Sequence, residues 1–164
     1  MLRQFISGLT MDSSGQVDEC GVNSYMTDNV EFFNRCVASV FSELYGAFPV
    51  PTDLHFNDLA IELWDDETDD GVSYLDKYEV YAQSVSWLER AGYIWLNKWC
   101  HHEAYGVVLS PKGLEALKVP ESLKKPSETL GAQIRQALAK GAMSSASGLV
   151  SRALTASITM AGNG

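Results

Sequence analysis

Cys100, His101, His102 and Glu103 stand side by side, and each side-chain type in the group can bind a metal ion. Adjacent positions at a tight turn do not converge on one ion, and no CxxC or HxxxH partner accompanies them. The group reads as a polar turn tip. A second cluster, 65–71, packs five acids into the six positions 65–70 and ends on Gly71. In the frame Asp66-x-Thr68-x-Asp70-Gly71 it resembles a calcium loop, but the twelfth position is Lys77, where a bidentate Glu is required. A frame begun at Asp65 places Asp76 twelfth and loses the glycine. A solvated acidic loop is the simpler reading.

Nucleophile and base chemistry has little to work with. The chain has three histidines, two of them adjacent. His55 sits between Leu54 and Phe56 with no evident partner, and Cys36 beside an apolar stripe reads as a buried, inert thiol. No GxSxG, P-loop, dinucleotide fingerprint or HExxH occurs. The expectation is a chain without catalytic residues, cofactor or metal. Four tryptophans, Trp64, Trp87, Trp95 and Trp99, are the remaining conspicuous side chains. Core packing is their default use. Trp95 and Trp99 are the better candidates for exposure at an interface, together with His101 and His102.

The elements that must position these groups follow from periodicity. Positions 1–27 are weakly patterned and read as an N-terminal arm. Over 28–46, Val30, Phe33, Val37, Val40/Phe41 and Leu44 form one helical stripe, with Asp28 as cap and Gly46 as stop. Phe48-Pro49-Val50-Pro51 predicts an extended link. The segment 53–64 fits both periods in part and is read as a short helix. Leu75, Tyr78, Tyr81/Ala82, Val85 and Leu88 mark a further helix that Ser73 caps and Gly92 ends in a left-handed turn. Strands follow at 93–99 and 104–109, with Tyr93, Trp95 and Trp99 on one face and Ile94 and Leu96 on the other. Ser110-Pro111 opens another helix. A linker spans 120–126.

Positions 127–160 predict a long helix capped by Ser127, its stripe running Leu130, Ile134, Ala137/Leu138, Gly141, Ser145, Leu149, Ala153/Leu154 and Ile158. Gly141 and Gly148 favour a break, since each costs about 1 kcal/mol against Ala. Two main uses stay open for this segment, a helical oligomerisation surface that includes Leu149 and Leu154, or a disordered tail; a membrane-surface helix is disfavoured, because 141–164 carries one charge, Arg152.

The run Trp87-Leu88-Glu89-Arg90-Ala91-Gly92-Tyr93-Ile94, with the return Val107-Val108-Leu109-Ser110-Pro111-Lys112-Gly113-Leu114, resembles the end of a winged helix-turn-helix domain, broadly of the bacterial MarR and PadR type. The resemblance covers about 28–119. It implies a mainly α fold with a small antiparallel β-ribbon (α+β), in which the helix at about 74–91 is the reading helix and 100–103 is the wing tip. It also implies DNA contacts, for which Lys77, Arg90, Lys98, Lys112, Lys124 and Lys125 are the available cations.

Charge argues against DNA. The whole chain carries −9, and residues 1–110 hold 5 Lys/Arg against 18 Asp/Glu. Five acids just ahead of a reading helix repel phosphate where it would have to dock. The favoured expectation is a cytoplasmic regulatory or accessory module that acts through protein contacts, with a partner or with itself. The alternative is a DNA-binding transcriptional regulator. A variant of the favoured reading is an acidic mimic of DNA; an enzyme is the least favoured reading, since no catalytic constellation is visible. Three widely spaced cysteines make no disulfide framework, and no run of about 18 apolar residues suggests a membrane span.

Overall fold

The structure is a computed structural model, and it describes residues 24–63, 74–101, 103–120 and 128–161. The expectations for the 65–71 loop, Cys20, Trp64, Ser73, His102, Lys124, Lys125, Ser127 and the arm before residue 24 lie outside these residues.

The first helix, α1 (Ser24–Ala47), is the central post of the molecule. It starts before Asp28, so that residue lies within the helix and does not cap it. Val37, Val40, Phe41 and Leu44 are buried as their spacing predicts. Val30 departs from the predicted stripe: it is 62% exposed. The Phe48–Pro49 peptide is cis, and Val50 N–H donates to Ala47 O at 2.9 Å, so a turn replaces the predicted extended link.

The segment read as one short helix is two elements, strand β1 (Thr52–His55) followed at once by helix α2 (Phe56–Leu63). Leu54 and Phe56 both point inward, one from a strand and one from a helix, which is why neither period fitted the whole segment. Helix α3 (Tyr74–Arg90) buries Tyr81, Val85 and Leu88 against α1 and stops at Gly92, whose φ of 77° is the left-handed turn expected there.

The predicted strand at 93–99 is broken. Tyr93 still belongs to the turn, its N–H donating to Leu88 O at 2.9 Å. Strands β2 (Ile94–Trp95) and β3 (Lys98–Cys100) follow, and both pair antiparallel with β4 (Glu103–Leu109). On its other edge β4 pairs with β1, so the sheet order is β1-β4-β2. The face assignment also changes. Tyr93 is buried while Trp95 and Trp99 are exposed, because Tyr93 lies in the turn before β2, where strand alternation does not set its direction.

Helix α4 (Pro111–Lys118) begins as the sequence indicates. Ser110 Oγ accepts the Gly113 N–H at 3.1 Å and donates to Gly92 O at 2.6 Å, tying the start of α4 to the end of α3. Gly113 is pressed against Tyr93 O and leaves no room for a Cβ.

The last helical segment does break at Gly141 (φ 69°), into α5 (Leu130–Ala139) and α6 (Met143–Ala161). Thr129 caps α5, accepting the Ala132 N–H at 3.3 Å. Both helices fold back on α1. Leu130, Ile134 and Ala153 are buried as expected, but just beyond the break the buried positions are Ala146 and Val150, each one residue after the Ser145 and Leu149 that an uninterrupted helix predicts. The left-handed residue resets the helical phase. The protein is thus mainly helical with a small four-stranded antiparallel sheet, an α+β fold as expected.

Candidate interaction surface on the third helix

Among the α3 side chains described, residues 77–90, the exposed ones are Glu79, Gln83, Trp87 and Arg90. Spacings of four, four and three keep them on one helix face. Trp87 is 40% exposed. Its ring meets Phe33 of α1 edge-on, centroids 5.0 Å apart at 85°, and stacks on Tyr93 at 6.0 Å and 18°. Phe33, Trp87 and Val80 wall a shallow, mostly apolar groove of about 340 Å³, with Glu79 and Arg90 both on its lining. Exposed Val30 lies one helical turn before Phe33 on α1. Sequence reasoning preferred Trp95 and Trp99 over Trp87 as exposed rings; the polar residues at 79, 83 and 90 were the available signal that position 87 faces outward.

The β3–β4 end holds the other predicted aromatics. Trp95 is 59% exposed. Trp99 is less free, since its Nε1–H donates to Glu89 Oε2 at 2.9 Å and its ring lies 5.9 Å from Phe56. Tyr78 Oη–H donates to the carbonyl of His101 at the turn tip. These two bonds fasten the hairpin to α3.

His55 has a partner after all. Its Nδ1 lies 2.8 Å from Glu103 Oε1, because β1 and β4 pair these residues across the sheet. The hydrogen bond to Glu103 holds the imidazole above its ordinary pKa. The same carboxylate accepts from Tyr105 and pushes that phenol up to about 12. A separation of 48 residues hides the pair from any local motif. Cys36 is fully buried, and burial pushes its thiol up to about 12, consistent with an inert core residue. Among the described residues, no three His, Cys, Asp or Glu side chains are grouped to hold a metal ion, and no helix is long and apolar enough to cross a membrane.

Among the described residues, the predicted DNA-contacting cations are spread over α3, β3 and α4. Lys77 and Arg90 lie at opposite ends of α3, about 20 Å apart along its axis. Lys98 is exposed on β3. Lys112 turns back on the fold, its Nζ donating to Ala91 O at 2.7 Å and sitting 4.2 Å over the Tyr93 ring. Leu149 and Leu154 are half-buried against the core of their own chain. Comparison with family models, with curated proteins and with solved structures finds no match.

Proposed function

We propose that this chain is a cytoplasmic, non-enzymatic winged-helix module that works through protein contacts as a regulatory or accessory protein. The order helix, strand, two helices, then a ribbon with β4 between β1 and β2 supports the winged-helix reading. The observation that carries the function is the face of α3, the helix such a scaffold would use for reading. It offers a half-exposed tryptophan in an apolar groove where a DNA reader would offer cations. The free thiols Cys36 and Cys100 suit a reducing compartment.

The test is titration of the purified full chain into labelled mixed-sequence duplex DNA at about 50 mM salt, repeated at about 200 mM. No binding at either salt is expected. Binding whose affinity falls steeply with salt would overturn this reading in favour of a DNA-binding regulator with Arg90 and Lys98 among its contacts.

A further inference from the structure

We propose that the exposed face of α3 is the seam of a homodimer, in which two copies lay α3 against α3 antiparallel about a two-fold axis, Glu79 of each meeting Arg90 of the other. The inference rests on the protein-contact reading above and names the occupant of the groove as a second copy of this chain.

The charge pattern selects that occupant. The groove is bounded by one acid and one base, Glu79 and Arg90, about 16 Å apart along the helix axis. A uniformly basic or uniformly acidic partner would find a like charge at one end. A second α3 laid parallel would place like charges opposite each other. Laid antiparallel, it places opposite charges together twice, because the two-fold axis repeats every contact. The midpoint between residues 79 and 90 falls between Ser84 and Val85. In this register the partner's Trp87 lies over Val80 and Gln83, in the apolar groove that Phe33 closes on the α1 side. Tryptophan at the centre with charged residues outside it is the usual layout of a specific interface. The −9 charge of each chain opposes association, so the measurement belongs at about 150 mM salt, where long-range repulsion is screened over about 8 Å.

Sedimentation equilibrium of the full chain across the micromolar range reads the outcome. The wild type is expected to approach twice its 18.0 kDa chain mass. Trp87→Ala is expected to remain a single chain at the same concentrations. Glu79→Arg and Arg90→Glu should each weaken the dimer by roughly tenfold, since each sets two like-charged contacts face to face. The double variant Glu79→Arg/Arg90→Glu should return to within about threefold of the wild type, because swapping both signs restores both pairs. Both charged positions are exposed, so these variants keep the fold even where Trp87→Ala loosens it. A wild type of single-chain mass throughout the range, or a double variant no tighter than the singles, overturns the seam. If such a monomeric protein also ignores DNA, the protein-contact reading stands and only the seam fails; salt-sensitive DNA binding removes the reading itself.

Discussion

The α5–α6 hairpin is built largely of Ala, Ser and Gly, yet it supplies Leu130, Ile134, Ala146, Val150 and Ala153 to the core. The β2–β4 region carries Trp95 and Trp99, two of the largest apolar side chains in the chain, and leaves both exposed. Side-chain size therefore does not decide what is buried here. The decisive factor is whether a facing element exists. Helix α1 offers α6 a close surface, where small residues let the backbones approach: Ser147 Oγ–H reaches Glu31 Oε2 at 2.7 Å, and Asn34 Nδ2–H reaches Ser151 Oγ at 3.1 Å. Gly131 belongs to the same logic, its Cα pressed on the Tyr45 ring. No described element covers the outer face of Trp95.

The hardest test of this contrast is to remove residues 127–164. If the C-terminal helices are core, the remainder should lose cooperative thermal unfolding; a truncated chain that melts as sharply as the full one would make them an appendage. Next in size, Ile134→Ala should cost about 2–5 kcal/mol in chemical denaturation, the ordinary range for emptying a filled core site. Trp95→Ala, which removes a much larger ring, should stay within about 0.5 kcal/mol. The comparison breaks if the tryptophan proves the costlier loss.

The smallest effect concerns the pair that joins β1 to β4. Because the folded-state pKa of His55 lies above its ordinary 6.5, the pair's stabilisation is present below that value and fades as pH rises through the raised folded pKa. The melting temperature of wild type should exceed that of His55→Gln more at about pH 6 than at about pH 9. Equal gaps at both pH values would show that protonation of His55 contributes nothing to stability.

Much of the fold was legible. Ser110-Pro111, Gly92 and the Val37-to-Leu44 stripe act through local geometry, and each sits where its type demands. What escaped depends on distant partners. The β1–α2 junction changes period within one short apolar run, and the turn at Gly141 moves the buried positions from 145 and 149 to 146 and 150. His55 finds Glu103 only once the sheet is formed. The candidate site was half legible. Aromatic exposure was anticipated for Trp95 and Trp99, while Trp87 needed the whole pattern of α3 to be placed outward.

Tyr93 has a consequence for how any event on α3 would be felt elsewhere. Its ring stacks on Trp87 and lies 6.2 Å from Phe41, and its hydroxyl donates to Leu154 O at 3.4 Å. One side chain thus touches the outward tryptophan, the central post and the last helix. Should the Trp87 ring shift, Tyr93 is the side chain placed to carry that shift to α6, and the amide resonances around Leu154 are where it would be read.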